Sequence, residues 1–364
     1  MEDQRWTPSS YLEALRAYSE HSHREVARVR RNLTGLSTDD QDSLIWKPED
    51  QAKRMEEAVS ANLLFLDKLA ALAGEILATP AALADWGRQV PRAPQGTQPV
   101  QHLLQMLVRE WSAEGFEERR ECFGRLLGAL DTHLGPQRVQ AAASGGPAPR
   151  VLCPGVQLGR LLFEVQNRGY SGEACESRAL PFFGGEYIRR YCSGRETDRI
   201  QPYVLQTCNR FRAEDHVRVA AVPDTDIEEG KLPPVRFGTF VHIYDTAGAR
   251  GSFDALLTAF SLDTSANIFR WVRTAAHVLR PGGLWANFGP LAYETEHEES
   301  HGHGVELSWE ELRFAVSHFF EVQEEAFVDS LHAANAESMM QIQYSCIFFK
   351  AVRNSAPSPG IGEA

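Results

Sequence analysis

The stretch that decides the fold runs from residue 150 to residue 164 and reads RVLCPGVQLGRLLFE. A short apolar run ends at Gly155, and from Gly159 onward apolar residues recur at the spacing of a helix. A strand that turns at glycine and enters a helix is typical of α/β sheets, where ligands bind beyond the carboxyl ends of the strands. Glycine at such a turn lets the backbone approach a ligand with no side chain between them. The stretch therefore predicts a ligand-binding turn after the first strand of an α/β domain.

The same alternation continues toward the C-terminus. Strand-like and helical runs follow in the order YSGEACES, LPFFGGEYIRRYC, HVRVAAVPD, SFDALLTAFSLDT, NIFRWVRTAAHVL and LWANFGP. This alternation predicts a parallel sheet with helices on both faces. The last two strand-like runs, EVQEEAFVD and MQIQYSCIFFKAV, have only a loop between them, which predicts an antiparallel pair. We therefore expect an α/β fold that is mostly parallel, with an antiparallel final strand.

The first part of the chain has a different pattern. Leucines recur at helical spacing in ANLLFLDKLAALAGEIL, and VQHLLQMLVREWS and EERRECFGRLLGALDTHL are helical as well. A loop of small residues, AAASGGPAPR, follows these runs. We predict an α-helical N-terminal domain over 1–148, the α/β domain over 149–353, and a disordered tail over 354–364.

Composition narrows the class of partner. The formal net charge of -12 argues against non-specific binding to nucleic acid or to an anionic membrane, and favours a small-molecule partner. The six cysteines form no C-x-x-C pair, which argues against a zinc ribbon, and the start of the chain does not resemble a signal peptide. No apolar stretch reaches the roughly 18 residues of a membrane helix. We expect a cytoplasmic protein, with the nucleus as a second location, and a homodimer is compatible with the sequence.

An acidic residue follows the second predicted strand. Glu176 comes about 20 residues after Gly155, where dinucleotide-binding α/β folds place an acid that accepts hydrogen bonds from ribose hydroxyls. The glycine turn departs from a full G-x-G-x-G, because Gln157 stands at the middle position. A second interpretation remains open, in which the glycines only shape a tight turn and Glu176 is a solvated acid.

A loop rich in histidine and glutamate, ETEHEESHGHG, follows the fifth predicted strand. His297, His301 and His303 with the neighbouring carboxylates are residue types that bind metals. Gly302 and Gly304 predict a flexible loop in which no rigid element spaces the ligands. We therefore predict no metal site.

Eight segments together resemble the carnosine N-methyltransferase family. They occur in the family's order between about residues 100 and 350, and they are REWSAEGFEERRECF, RVLCPGVQLGRLLFEVQNRGY, VPDTD, FVHIYDTAG, FSLDTSANI, HVLRPGGLWANFGPLAY, VELSWEEL and SMMQIQYSCIFF. The resemblance implies a Rossmann-like class I methyltransferase sheet under an α-helical N-terminal domain. It also implies S-adenosylmethionine as cofactor and N-methylation of the imidazole in a small histidine-containing dipeptide.

The resemblance assigns roles to individual residues. Those implied for the cofactor are Arg109 at its methionine end, Gly155 beneath it, Glu176 at the ribose, Thr239 and Phe240 beside the adenine, and Ala259 through its backbone. Those implied for the substrate are Asp263, Glu294, His332 and Tyr344, with Asp263 also the catalytic residue.

Several positions depart from the family pattern. They are Met106 and Thr239, which replace a glutamine and an aspartate at the cofactor, Gln157 in the glycine turn, and Glu294 and His332, which replace a histidine and a tyrosine at the substrate. Two alternatives follow from these departures. One is a methyltransferase-fold protein with lost or weak catalysis that acts as a binding or scaffold module. The other is a shifted substrate, such as another amine or a histidine in a protein.

The mechanism implied by these residues centres on Asp263. Methylation of an imidazole requires one nitrogen to be deprotonated and aimed, and a carboxylate that holds the other N–H fixes the tautomer and stabilises the developing charge. Asp263 lies at the end of a predicted strand, where it can do this. The alternative for Asp263 is capping of the following helix. Thr264 or Ser265 can supply that cap instead, so both interpretations can hold.

Overall fold

In a computed structural model of the chain, the residues described are 8–78, 98–265, 267–293 and 305–357. Within these ranges, the α-helices before the first strand are α1 (Pro8–Thr34), α2 (Thr38–Asp42), α3 (Pro48–Leu77), α4 (Gln98–Trp111) and α5 (Phe116–Ser144). The α/β part follows as β1 (Arg150–Pro154), α6 (Arg160–Asn167), β2 (Ser171–Glu176), α7 (Ala179–Tyr191), β3 (Asp198–Ile200), β4 (Ala220–Val222), β5 (Arg236–Phe237), α8 (Phe240–Tyr244), β6 (Phe253–Ala259), α9 (Ile268–Val278), β7 (Leu279–Gly289), α10 (Trp309–Ser317), β8 (Phe320–Leu331) and β9 (Gln343–Arg353).

In the described part of the chain, seven strands form the central sheet in the order β5-β2-β1-β6-β7-β9-β8. The pairs from β5 to β7 are parallel, and β9 is antiparallel to both of its neighbours. The predicted mostly parallel sheet with an antiparallel final strand is therefore confirmed. Strand order reverses between β1 and β6, so the carboxyl ends of these two strands form the place where α/β sheets bind ligands.

The segment RPGG, residues 280–283, interrupts the pairing of β7. Leu279 pairs with Phe253, but the next partner of β6, Ala255, pairs with Leu284. Residues 280–283 therefore bulge out of the ladder, and Gly282 takes a positive φ of 82° that glycine adopts without strain.

The run HVRVAAVPD contributes to a different sheet from the one that the alternation indicates. Its strand β4 pairs antiparallel with β3 in a separate two-stranded sheet. The strand beyond β2 in the central sheet is β5, which has only two residues, paired as Cys175 with Arg236 and Glu176 with Phe237. Two residues are too few to show an alternating pattern, so the sequence does not reveal β5 as a strand.

Both faces of the sheet are covered, and one core reaches from the N-terminal helices to the sheet. Leu69 of α3, Leu104 of α4 and Leu126 of α5 belong to the same cluster of buried residues as Val151 and Leu257 of the sheet. Helices α8, α9 and α10 cover the other face through a second cluster. The proposed boundary between residues 148 and 149 stays a prediction, but the side chains on its two sides share one core.

Of the predicted tail over 354–364, the structure describes residues 354–357. There the N–H of Asn354 donates to the carbonyl oxygen of Phe319 at 3.0 Å. Within the described ranges, no helix is both long and apolar enough to cross a membrane.

Candidate active site

The turn after β1 takes a conformation that favours glycine. Gly155 and Gly159 have φ angles of 61° and 89°, and Gln157 between them has a φ of 58°. A Cβ on Gly155 would lie 2.5 Å from the Cβ of Ser261, so only glycine lets the ends of β1 and β6 approach this closely. The N–H of Gly155 donates to the carbonyl oxygen of Cys175 at 2.8 Å, which holds the turn against β2. The predicted turn is thus fixed from two neighbouring strands.

Glu176 is buried beside this turn and is not the solvated acid of the second interpretation. Its side chain is 1% exposed. One carboxylate oxygen accepts from the N–H of Gln157 at 2.9 Å, and the other accepts from the N–H of Arg178 at 2.8 Å. A carboxylate has about four lone-pair sites, so Glu176 retains the capacity to accept from a ligand hydroxyl.

Three consecutive residues at the end of α4 hold the glycine turn. Arg109 donates from Nη1 to Oε1 of Gln157 at 3.2 Å, and Trp111 donates from Nε1 to the carbonyl oxygen of Leu158 at 3.0 Å. The side chains of Arg109 and Trp111 are fully buried or nearly so. Arg109 and Trp111 therefore hold the side chain of Gln157 and the backbone of Leu158 in place.

Glu110, between Arg109 and Trp111, caps the start of α6. Its Oε2 accepts from the N–H groups of Leu158 and Arg160, each at 3.2 Å. Burial raises the pKa of the Glu110 carboxyl to about 7, although Arg109, with Nη1 3.6 Å from Oε1, favours the charged form. Sequence reasoning missed Glu110, because its role appears only once α4 is packed against the turn.

Arg109 also reaches the other side of the site. Its Nε forms an ion pair with Oε2 of Glu118 at 3.3 Å, and its guanidinium carbon lies 5.2 Å from the ring centroid of Phe260. The same carbon lies 5.2 Å from the ring centroid of Phe123. Among the described residues its Nη2 has no hydrogen-bond partner, although it is buried. Arg109 thus connects the glycine turn to the end of β6.

Phe260 is at the centre of an aromatic cluster that the sequence did not single out. It follows β6 with a φ of 51°, and its N–H donates to the carbonyl oxygen of Phe288 at 2.9 Å. The ring of His332 stacks on the Phe260 ring with centroids 4.2 Å apart and planes at 17°. The Tyr344 ring meets Phe260 edge-on at 6.4 Å. The cluster brings two predicted substrate residues, His332 and Tyr344, to the carboxyl end of β6.

His332 is held as a neutral imidazole. Burial lowers its pKa well below the ordinary value, and the charges of Arg109, His102 and Arg178 lower it further. His102 lies 6.1 Å away between ring centroids, and burial lowers its pKa to about 4. A neutral ring keeps one N–H and one lone pair, so His332 can donate and accept hydrogen bonds across the physiological range.

Asp263 lies in a short 3-10 turn, Leu262–Thr264, which two residues separate from the end of β6. It is 7% exposed, and its Oδ2 accepts from the N–H of Ala292 at 2.8 Å. The capping alternative is wrong for all three residues considered, because Asn267 caps α9 by accepting from the N–H of Arg270 at 3.0 Å. Asp263 is therefore a buried carboxylate that joins the segments after β6 and β7.

The three remaining cofactor residues lie at the ends of β5 and β6. Thr239 caps α8, with its hydroxyl oxygen accepting from the N–H of His242 at 3.2 Å. Phe240 is 5% exposed, and its ring packs against Trp271 with centroids 4.6 Å apart. Ala259 is the last residue of β6 and is 8% exposed. Their contacts with a cofactor stay predictions.

Glu294 and the histidine-rich loop, residues 294–304, lie outside the described residues. Met106, one of the departures from the family pattern, is a buried core residue of α4. Among the described residues no cluster of three or more metal-binding side chains occurs.

The described residues fit an amino-acid sulfonium nucleoside such as S-adenosylmethionine. Among the described residues, the buried polar atoms at the site that lack a hydrogen-bond partner include Nη2 of Arg109, Oγ of Ser261 and Nδ1 of His332. A guanidinium N–H suits a carboxylate, as at the methionine end of this cofactor. Glu176, beside the glycine turn, can accept from a ribose hydroxyl.

A mostly parallel sheet of this order with an antiparallel final strand, a glycine turn after β1 and a buried acid at the end of β2 defines the Rossmann-like class I methyltransferase fold. A family profile for carnosine N-methyltransferase matches residues 87–355. The chain belongs to that family, and the cofactor implied for it is S-adenosylmethionine.

Curated relatives agree with this assignment. The carnosine N-methyltransferase of Dictyostelium discoideum is 30% identical over 255 residues, which cover 69% of this chain and 54% of the relative. That of Mus musculus is 29% identical, with 72% and 65% covered. That of Schizosaccharomyces pombe is 25% identical, with 92% of each covered. The matched part therefore spans only about half to two-thirds of the first two relatives.

Proposed function

We propose that the protein is an S-adenosylmethionine-dependent N-methyltransferase that acts on the imidazole of carnosine or of a related small histidine-containing compound. Family membership supports methyl transfer to a carnosine-like substrate. The imidazole as acceptor, the residue roles and a cytoplasmic or nuclear location are parts of the same proposal. The negative net charge is compatible with a small substrate and with the absence of a nucleic-acid partner.

One observation carries the proposal: a continuous chain of contacts joins the predicted cofactor residues to the predicted substrate residues. Glu176 contacts the backbone of Gln157, whose side chain contacts Arg109. Arg109 lies over the Phe260 ring, on which His332 stacks. These residues come from α4, the ends of β1, β2 and β6, and the loop after β8, so the fold alone brings them together.

The chemistry divides between cofactor and protein. S-adenosylmethionine supplies an activated methyl group when it is bound. Arg109 would hold its carboxylate, and Glu176 its ribose. Asp263 would accept the N–H of the substrate imidazole, which leaves the lone pair on the other nitrogen as the nucleophile. The neutral His332 would hydrogen-bond the substrate without repelling a cationic amine.

The alternative is a methyltransferase-fold protein with weak or lost catalysis that acts as a binding module. Gln157 favours it, because its side chain already occupies one N–H of Arg109 and because it stands in the turn with a positive φ. Thr239 favours it as well, since its hydroxyl is used in capping α8. Both observations predict weaker cofactor binding rather than a different fold.

Calorimetric titration with S-adenosylmethionine tests the proposal first. We expect binding by the wild type and a loss of about tenfold in affinity for Glu176→Gln, the effect of removing a charge-assisted acceptor. Glu173→Gln, on the same strand but paired with Arg150 and Tyr244 and not with the glycine turn, is the matched control. Wild-type protein that shows neither heat nor a thermal shift at millimolar cofactor contradicts the enzyme assignment.

A radiolabelled-methyl assay then separates the candidate functions. Transfer to carnosine, with less to free histidine, supports the proposal. Cofactor binding without transfer to any small imidazole favours the binding module, and transfer to another amine or to a protein histidine identifies a shifted substrate.

A further inference from the structure

Glu118 joins the two halves of the candidate site. It lies in the first turn of α5, and its carboxylate is within reach of three donors. Its Oε2 accepts from the N–H of Ala333 at 2.9 Å and forms the ion pair with Nε of Arg109 at 3.3 Å. Its Oε1 accepts from the N–H of Ala334 at 3.0 Å. One side chain therefore contacts both the arginine on the cofactor side and the loop on the substrate side.

The loop that Glu118 holds is in a conformation that needs support. Ala333 has a φ of 51°, a backbone conformation that is strained for a residue with a Cβ. Ala333 directly follows His332, so its conformation sets where the His332 imidazole lies relative to Phe260. The two hydrogen bonds from consecutive N–H groups to one carboxylate fix that conformation.

We infer that Glu118 is a positioning residue that holds His332 against Phe260 and thereby sets the affinity for the imidazole substrate, an inference that rests on the proposed function. The carboxylate acts through the backbone of residues 333 and 334 and touches neither substrate nor cofactor in this role. Neutral glutamine of the same shape cannot replace it, because its amide nitrogen is a donor and would face an N–H or the guanidinium.

Amide hydrogen exchange over residues 331–335 of the full chain tests the positioning without any ligand. Glu118→Gln raises the exchange rates of Ala333 and Ala334 by about tenfold, the change expected when hydrogen bonds to a charged acceptor are lost. Glu117→Gln is the matched control, since the neighbouring Glu117 is exposed and pairs only with Arg120 of its own helix among the described residues. Unchanged exchange in Glu118→Gln overturns the inference.

A double-mutant cycle tests whether Glu118 acts through His332. Carnosine binding is measured by calorimetry with saturating S-adenosylhomocysteine, so that no turnover occurs. Glu118→Gln weakens carnosine binding about tenfold in the wild-type background and less than twofold in the His332→Ala background, because the positioned ring is then missing. Equal weakening in both backgrounds shows a general structural effect and overturns the inference.

The two proposals fail in different ways. Wild-type protein that binds neither S-adenosylhomocysteine nor carnosine contradicts the proposed function, while the exchange measurement still decides whether Glu118 holds the loop. Wild-type protein that binds both ligands, with Glu118→Gln binding carnosine equally well, leaves the proposed function intact and removes the role of Glu118.

Discussion

The positions of Asp263 and Glu176 along the chain were enough to predict at which edge of the sheet these acids lie. Each follows a strand of the parallel sheet, and carboxyl ends of parallel strands share one edge, so the sequence already placed both acids there. Their burial follows from packing and was not predictable from spacing. Phe260, Glu110 and Glu118 were missed, because each acts through an element that is distant in sequence.

The first prediction at the residue scale concerns the charge of Asp263. In Asp263→Asn the amide oxygen still accepts from the N–H of Ala292, but the charge that stabilises a methylated imidazole is lost. We expect kcat for carnosine methylation to fall by about 100-fold or more, with the affinity for S-adenosylmethionine changed less than about threefold. Asp226→Asn, an exposed acid paired with Arg195, is the control. Full activity of Asp263→Asn would remove this residue from the mechanism.

At the scale of elements, the glycine turn after β1 is held by side chains from α4 and β2 and by contact with the end of β6. The strand, the turn and the helix were predicted correctly from residues 150–164. The side chains of α4 that hold the turn were not predicted, because the contact between α4 and the turn leaves no pattern in the sequence of α4. The short strand β5 escaped prediction for a related reason, because two residues paired with β2 carry no periodicity.

The close approach of the turn to Ser261 gives a prediction with an internal control. Gly155→Ala places a Cβ 2.5 Å from the Cβ of Ser261 at a φ of 61°, whereas Gly282→Ala, at a φ of 82°, meets nothing within 4 Å. We expect Gly282→Ala to cost about 1 kcal/mol of unfolding free energy and Gly155→Ala about 3 kcal/mol, measured by urea titration. Equal losses in the two variants would show that backbone strain, and not the contact between β1 and β6, limits residue 155.

The cap that Glu110 provides makes stability depend on pH. Folding raises the pKa of this carboxyl from 4.5 to about 7, so the folded state holds the proton more tightly than the unfolded chain. The contribution of Glu110 to stability is therefore greatest below pH 4.5 and declines as the pH rises toward 7. Relative to Glu110→Gln, the wild type should lose about 3 kcal/mol of unfolding free energy across that interval.

Urea titrations of both proteins at a series of pH values measure this difference, because groups that titrate alike in both proteins cancel. Glu117→Gln, which removes an exposed carboxylate on the next helix, is the matched control. A constant difference between wild type and Glu110→Gln would mean that the Glu110 carboxyl titrates near its ordinary pKa.

For the whole molecule, the shared core bears on how the N-terminal helices and the sheet unfold. The helices supply Arg109, Glu110 and Glu118 to the site, and their apolar faces pack into the cluster that contains sheet residues. The sequence predicted the helices and the sheet, but spacing cannot reveal that both bury into one core. Two parts that share a core should unfold in a single cooperative transition.

Leu69→Ala tests this cooperativity. Leu69 is fully buried in α3, so its truncation should cost about 2–5 kcal/mol, while Leu64→Ala, 67% exposed on the same helix, should change stability by less than about 0.5 kcal/mol. Urea unfolding is followed by circular dichroism, which reports mainly the helices, and by tryptophan fluorescence, to which the buried Trp285 of β7 contributes. Both midpoints should fall together in Leu69→Ala, because loosening α3 also removes support from the sheet. Different midpoints in circular dichroism and in fluorescence would contradict a single cooperative transition.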